Sequence, residues 1–302
     1  MREIGSIEQQ EARLAWIFVL PALAVITLIA LFPLLWTVWE SLHVHDLRMP
    51  WRGRPFVWLS NYAEALTEAR FWGAIGHTAL FTLSSVTLEL VLGLGLALVL
   101  HHSYQGRGLV RAAVLVPWAM PTVVAALAWR FMFDSPAGII NVVAMDLGLS
   151  EEPFVWFAHP TAAWVPVILA DVWKTTPFVA LLLLAGLQNI DATLYEAARI
   201  DGANPWQQFR HITLPLLQPA LLVALIFRML DAFRVFDLVY VLTSGGPGTA
   251  TEPIALYTFT TLLQNLRFGL GAALSVIIFL VTFGLALLYI RVLGKDLMEP
   301  SL

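Results

Sequence analysis

The chain has 302 residues, of which 59% are hydrophobic and 13% charged, and its formal net charge is −4. Soluble domains average roughly 45–50% apolar and about 25% charged residues, so this composition excludes an ordinary soluble domain. No cysteine is present, which excludes disulfide bonds and thiolate metal sites.

Six apolar runs follow one another along the chain, each long enough to cross a bilayer as a helix of roughly 20 residues. They comprise residues 14–39, 74–100, 109–133, 161–188, 214–242 and 268–291. Apolar and polar residues do not alternate with a period of two, which argues against a β-barrel. The sequence therefore predicts an all-α membrane protein with six transmembrane helices in a single membrane domain, residues 1–302.

Lysine and arginine in the short loops predict the orientation of these spans. With the N-terminus inside, eight of these residues lie on the inner side and five on the outer side. The inner set is Arg2, Arg13, Arg107, Arg111, Arg199, Arg210, Arg291 and Lys295, and the outer set is Arg48, Arg52, Arg54, Arg70 and Arg267. Both termini and the 189–213 loop are therefore expected to face the cytoplasm, with the reverse topology as the alternative.

Charged residues lie inside the predicted fourth and fifth spans. They are Asp171 and Lys174 in the fourth, and Arg228, Asp231, Arg234 and Asp237 in the fifth. Charges at membrane depth cost roughly 2.5–3.5 kcal/mol each and seldom face lipid. The fifth-span set recurs every three residues with alternating sign, so we expect neighbours to pair along one stripe. Two interpretations stay open, an ion-pair network that fixes helix packing and a polar lining of a translocation path.

Other polar residues in or near the spans carry weaker signals. For Glu89, in the second span, three alternatives stay open: an ion pair with His77, a contact with a partner helix, or a weakly charged interior group. The histidine pairs near span ends, residues 43 and 45 and residues 101 and 102, lack further convergent ligands. The sequence therefore predicts no metal site.

The segment EAARIDGANPWQQFRHITLP separates the fourth and fifth apolar runs. Thr193 and Glu196 fit a capping box that starts a first short helix, and Gly202 suits the left-handed residue that ends it. Asn204, followed by proline, predicts the start of a second helix. The first helix is too short to be stable alone in water. It is expected either to dock on a partner or to lie on the membrane surface.

The same segment resembles the signature loop of bacterial and archaeal ABC-importer permeases, E-A-A, three residues, Gly, nine residues, I-x-L-P. The matching residues are Glu196, Ala197, Ala198, Gly202, Ile212, Leu214 and Pro215. The stretches NYAEALTEARFWGAIGHTALFT and FRVFDLVYVLTSGGPG resemble the carbohydrate-uptake subfamily. DVWKTTPFVALLLLAGL is similar to trehalose and maltose permeases. The resemblance implies a type I ABC-importer permease core whose 189–213 loop forms a cytoplasmic coupling helix, seated in a cleft of an ATPase.

This resemblance also implies the activity and the partners. The expected function is import of a disaccharide such as trehalose or maltose across the cell membrane of a bacterium or archaeon. The expected partners are a second permease subunit, two ATP-binding-cassette ATPase subunits, an extracytoplasmic sugar-binding protein and membrane lipid, without nucleic acid. The chain has no G-x-x-x-x-G-K-[ST] motif, so we expect no cofactor in it, with ATP and Mg²⁺ bound by the partner ATPases.

Other functions are the alternatives. A permease for glycerol-3-phosphate or another small carbohydrate shares much of the pattern, but the alternating charges of the fifth span favour a neutral sugar over a phosphate. An ion-gradient-driven secondary transporter, with Asp171 or Asp231 carrying protons, would leave the signature loop without a role. An intramembrane enzyme is disfavoured because H-E-x-x-H and G-x-S-x-G are absent, so no catalytic residue is assigned.

Overall fold

A computed structural model describes residues 2–102, 105–135 and 137–298, and the side chains of residues 14–102, 105–135 and 137–291. Its regular structure is helical, which confirms the predicted all-α class. Two isolated bridges, His43 with Phe56 and Asp46 with Arg267, lie in the connecting segments. The side chains of Arg2, Arg13 and Lys295, used above for orientation, lie outside the described residues, and the orientation stays a prediction.

The chain falls into two compact units, and the single membrane domain stays a prediction. Unit 1 is Met1–Glu68 with Thr258–Phe279, and unit 2 is Ala69–Tyr257 with Leu280–Leu302. Unit 1 contains α1 (Arg2–Ile26), α2 (Phe32–Ser41) and α3 (Ser60–Thr67). Unit 2 contains α4 (Ala69–His101), α5 (Arg107–Val114), α6 (Val116–Ala119), α7 (Thr122–Met132), α8 (Ile139–Asp146), α9 (Trp164–Gln188), α10 (Ala192–Ile200), α11 (Pro205–Gln208), α12 (Leu214–Ala232) and α13 (Asp237–Leu242). Residues of both units occur in α14 (Ile254–Phe259) and α15 (Phe268–Met298).

Five helical stretches of the described chain are long and apolar enough to cross a membrane. They are Leu14–Ser41, Ala69–His101, Trp164–Gln188, Pro205–Ala232 and Phe268–Arg291. The helices Arg107–Ala119 and Thr122–Met132 make a sixth span if the pair is counted as one, although they are bent by 88°. Four predicted spans thus coincide with continuous helical stretches, and two need correction.

The predicted spans 109–133 and 214–242 are not continuous helices. In the first, Met120 is extended because the residue before a proline is disfavoured in helical geometry, and the next helix begins at Thr122, directly after Pro121. In the second, α12 ends at Ala232 and a new helix begins at Asp237, whose carboxylate suits a first turn. The fifth span therefore runs from Pro205 to Ala232, and residues 233–236 form a break.

Unit 2 is built on the packing of α4, α9 and α12. A Cβ atom at Gly93 of α4 would lie 2.7 Å from Cγ1 of Val179 in α9. A Cβ atom at Gly186 of α9 would lie 2.5 Å from Cβ of Ala220 in α12. Both distances are too short for any side chain, so glycine lets the helix backbones approach closely, as in other membrane helix interfaces. Buried leucine, valine and alanine side chains of the three helices fill the space between these contacts.

In unit 1, polar groups join the segment after α2 to α3 and to the start of α15. The Asn61 amide donates to the carbonyl oxygens of Ser41, at 2.8 Å, and His43, at 2.9 Å. Arg267 forms ion pairs with Glu64 and, at 3.8 Å, with Asp46. These contacts tie the loop that follows the first span to α3 and to the residue before α15.

Candidate functional site

The 189–213 loop contains two short helices, α10 and α11, as predicted, but the first is capped by a different residue. Asp191 is the N-cap of α10, and its carboxylate accepts a hydrogen bond from the backbone N–H of Thr193 at 2.9 Å. The predicted capping box of Thr193 and Glu196 is therefore wrong. The hydrogen bond from the Thr193 backbone lowers the pKa of Asp191, because it favours the charged carboxylate.

The turn between the two helices follows the local sequence signals. Gly202 has a φ of +84°, the left-handed conformation predicted for it. The Asn204 side chain accepts from the backbone N–H of Gln207 at 2.9 Å, and the Gln207 side chain accepts from the backbone N–H of Asn204 at 2.8 Å. This reciprocal box, with Pro205 at the first helical position, confirms the second predicted start.

Most of the signature residues lie at the surface of the chain. The exposed ones are Glu196, Ala197, Gly202, Leu214 and Pro215, and the half-buried ones are Ala198 and Ile212. Ile200, at the end of α10, is 87% exposed and Trp206 is 67% exposed. The hydroxyl of Tyr195 lies 3.0 Å from Oγ1 of Thr213, which ties α10 to the foot of the fifth span. The loop therefore exposes one large apolar side chain at the end of α10 and another on α11, and α10 is anchored to the foot of the fifth span.

A polar cavity of about 200 Å³ lies beside α9 and the break after α12. Five of the six predicted intramembrane charges line it, namely Asp171, Lys174, Asp231, Arg234 and Asp237. Thr122 of α7 and Phe81 of α4 also contribute. The structure thus brings together charged residues that the sequence placed inside two different spans. We refer to this space as the charged cavity.

Arg228, the sixth residue, lies behind the charged cavity and is 3% exposed. Its Nε donates to Glu89 Oε2 at 2.5 Å and its Nη2 to Glu89 Oε1 at 2.9 Å. The guanidinium also donates to Asp171 Oδ2 at 3.0 Å and to Asp231 Oδ2 at 2.5 Å. One guanidinium therefore holds three carboxylates, two of which line the cavity.

Glu89 is the functional candidate that the sequence left unresolved. It is fully buried, and besides Arg228 it accepts a hydrogen bond from Thr175 Oγ1 at 2.6 Å. The alternative of a pair with His77 is wrong, because Nδ1 of His77 lies 3.1 Å from the carbonyl oxygen of Glu252. The sequence did contain a signal for a buried role of Glu89, because an acidic residue inside an apolar span seldom faces lipid.

The predicted stripe of alternating ion pairs is only partly correct. Arg228 and Asp231 pair across one turn of α12, as expected from their spacing. Arg234 lies in the break and Asp237 begins α13, so neither continues the face of α12. Among the side chains that the structure describes, Lys174, Arg234 and Asp237 form no ion pair within 4.0 Å. Their charged groups are therefore available to the cavity.

Comparisons with known proteins agree with this architecture. A family profile described as binding-protein-dependent transport system inner membrane component matches residues 89–294. The trehalose/maltose transport system permease protein MalF of Thermococcus litoralis is 45% identical, over 95% of this chain and 96% of that protein. The trehalose transport system permease protein SugA of Mycobacterium tuberculosis is 38% identical, over 94% of this chain and 90% of that protein.

A solved structure has the same fold. It is the crystal structure of a bacterial ABC transporter involved in the import of the acidic polysaccharide alginate. The likeness has a TM-score of 0.81 at 21% identity and covers 99% of this chain and 100% of the matched chain. Together with the family profile, these similarities show that the chain belongs to the binding-protein-dependent transport system inner membrane component family and is a multi-pass permease subunit of the ABC-transporter type.

Proposed function

We propose that this permease carries a neutral sugar, a disaccharide such as trehalose or maltose, into the cytoplasm as one subunit of an ATP-driven importer. The charged cavity carries the proposal. Its aspartates accept hydrogen bonds, and its lysine and arginine donate them, which matches sugar hydroxyls that do both. The similarity to the permeases named above, along nearly the whole chain, supports the same class of substrate.

Within this proposal, the two interpretations of the intramembrane charges describe one arrangement. Asp171 and Asp231 line the cavity while Arg228 and Glu89, behind them, set their positions. Fixing a polar lining from behind lowers the cost of ordering it when a substrate binds. The ion network thus supports the translocation path rather than competing with it.

A glycerol-3-phosphate substrate is disfavoured by the charge of the cavity. Three carboxylates and two cations line it, and the guanidinium of Arg228 is already shared by three carboxylates. A phosphate dianion favours a cluster of arginine or lysine without compensating acids. The described lining offers no such cluster, so a neutral solute suits it better.

The signature loop supports a coupling role. We infer that α10, with Glu196, Ala197 and Ala198, docks in a cleft of a partner ATPase, and that Gly202, Ile212, Leu214 and Pro215 shape its connection to the fifth span. The exposed Ile200 gives this helix an apolar surface for such a contact. The inferred assembly contains a second permease, two ATPase subunits that bind ATP and Mg²⁺, and an extracytoplasmic sugar-binding protein. Both termini then face the cytoplasm.

The test is purification followed by reconstitution. The tagged chain is extracted from membranes of its native host in mild detergent, and the proteins that accompany it are identified. The assembly is then placed in liposomes, with ATP inside and the accompanying binding protein and labelled trehalose outside. We expect uptake that needs ATP and is reduced by unlabelled maltose but not by glycerol-3-phosphate. A chain that is recovered alone and transports without ATP would refute the proposal.

A further inference from the structure

A second polar cavity, of about 260 Å³, lies at the other end of the α7 and α13 helices from the charged cavity. Thr122 at the start of α7 and Leu238 at the start of α13 line the charged cavity. Arg130 near the end of α7 and Leu242 at the end of α13 line the second one. At about 1.5 Å per residue, Thr122 and Arg130 are roughly 12 Å apart along α7. We refer to this second space as the outer cavity.

Aromatic side chains line part of the outer cavity, and a buried amide holds one of them, Trp156. Trp156 and Phe157 line it together with Phe133, whose ring meets that of Trp156 edge to face at 5.1 Å between centroids. Nε1 of Trp156 donates to Oδ1 of Asn141 at 3.0 Å. The Asn141 amide, 2% exposed, donates in turn to the carbonyl oxygen of Phe154 at 2.9 Å. Trp156 is therefore held in place by a hydrogen bond, and the ring of Phe133 packs against it.

Polar groups also line the outer cavity. Arg130, Asp134, Ser135 and Thr243 line the outer cavity. Nη1 of Arg130 donates to the carbonyl oxygen of Val241 at 3.0 Å, which positions the guanidinium and leaves its other N–H groups for a ligand. The outer cavity thus combines hydrogen-bond donors and acceptors with aromatic rings in its lining.

We propose that the outer cavity is a subsite for one hexose ring, occupied before the sugar reaches the charged cavity; this rests on the proposed function. A pyranose has a face of C–H groups, which suits the negative face of an aromatic ring, and a rim of hydroxyls, which suits arginine and aspartate. The volume is below the roughly 300–1,000 Å³ of pockets that enclose larger ligands, so it suits one ring of a disaccharide. The 134–160 loop forms part of its wall and faces outward in the proposed orientation.

Because the chain has no cysteine, a single introduced thiol reports on the cavity. Ser135→Cys places a thiol in the lining, and Glu151→Cys places one at an exposed position of the same loop as a control. The reconstituted assembly is treated from outside with a membrane-impermeant maleimide, with and without trehalose, and the modified chain is identified by its shift on a gel. We expect trehalose to slow modification of Ser135→Cys by at least threefold and to leave Glu151→Cys unchanged.

Combining Ser135→Cys with Phe157→Ala separates direct occupancy from a distant conformational effect. Loss of the aromatic ring is expected to raise the trehalose concentration needed for half-maximal protection about three- to tenfold. In uptake assays Phe157→Ala is expected to raise the trehalose concentration for half-maximal rate about three- to tenfold, with the maximal rate kept. Phe131→Ala, which removes a ring from the exposed face of α7, is the matched control. Asp134→Asn keeps the side-chain volume and tests the polar lining independently.

The outcomes separate this inference from the proposed function. If the unmodified assembly takes up trehalose while Ser135→Cys is modified equally fast with and without sugar, the outer subsite is refuted and the sugar permease stands. If the trehalose concentration needed for half-maximal protection is the same with and without Phe157→Ala, the outer cavity is again refuted as the site. If no sugar is taken up, the proposed function fails, whereas protection, which is read without ATP, still tests binding in the cavity.

Discussion

Replacing Arg228 by methionine tests the ion network most directly. The substitution keeps an unbranched side chain of similar length but removes the single cation that three carboxylates share. Glu89 then remains fully buried but without its arginine partner. Asp171, whose side chain is 13% exposed, loses the same partner. Removing one partner of a buried ion pair costs about 3–5 kcal/mol, because it strands the remaining charge.

This cost can be read as a thermal shift of the detergent-solubilised chain. For domains of a few hundred residues, each kcal/mol corresponds to roughly 2–4 °C, so Arg228→Met is expected to lower the melting temperature by about 6–20 °C. Arg234→Met is the matched control, because this arginine is exposed and has no ion pair among the described side chains. Its melting temperature is expected to stay within about 2 °C, since surface changes cost about 0.5 kcal/mol or less.

A double substitution identifies the cause of the loss. Glu89→Leu combined with Arg228→Met removes the stranded carboxylate as well, and we expect it to melt at a higher temperature than Arg228→Met alone. Two results would contradict the reasoning: an Arg228→Met chain as stable as the wild type, or a double variant whose losses simply add. Either would show that the carboxylates do not depend on this guanidinium.

Three further predictions address the loop, the cavity and a segment outside the membrane. Gly202→Val forces a β-branched residue to a φ of +84°. We expect it to abolish sugar-stimulated ATP hydrolysis in the assembly while the chain still inserts into the membrane. Gly108→Val is the control, because a Cβ atom at Gly108 meets no atom within 4 Å, and it should keep hydrolysis. Asp231→Asn should reduce trehalose uptake yet barely change the melting temperature, because a side chain that is 75% exposed contributes about 1 kcal/mol or less through its ion pair. The hydrogen bond from Arg48 lowers the pKa of Asp46 from 3.8 to about 2. The ionised Asp46 therefore stabilises the fold above about pH 4, and this contribution is lost as the pH falls towards 2. Asp46→Asn should remove that part of the acid dependence in melting curves measured between pH 6 and pH 2.

Features that depend on a few neighbouring residues could be predicted from the sequence. The left-handed Gly202 and the reciprocal box of Asn204 and Gln207 are decided by local hydrogen bonds, and both follow from residue type and spacing. The N-cap of α10 was misplaced because Asp191 and Thr193 both suit that position, and their local chemistry does not decide between them. The long spans were predictable because apolar length alone determines them.

Features that depend on contacts across the fold could not be predicted in the same way. Glu89 and Arg228 are 139 residues apart, and each could be recognised as a buried charge without indicating its partner. The break after Ala232 contains neither proline nor glycine in the segment 233–236, so an apolar run conceals it. The break in the third span, by contrast, is marked in the sequence by Pro121. The length of the apolar run nevertheless led to the prediction of one continuous helix.

The close glycine contacts between α4, α9 and α12 also bear on how this permease can move. Helices that meet with almost no side chain between them cannot slide without steric collision, because packed interfaces deform in discrete steps. We therefore expect these three helices to tilt as one rigid body. The bend at Met120 and Pro121 and the break at 233–236 are then the hinges at which the chain flexes. A displacement of the N-terminal end of α12 would therefore move the residues of α9 and α12 that line the charged cavity by a similar amount, because the three helices do not rearrange internally.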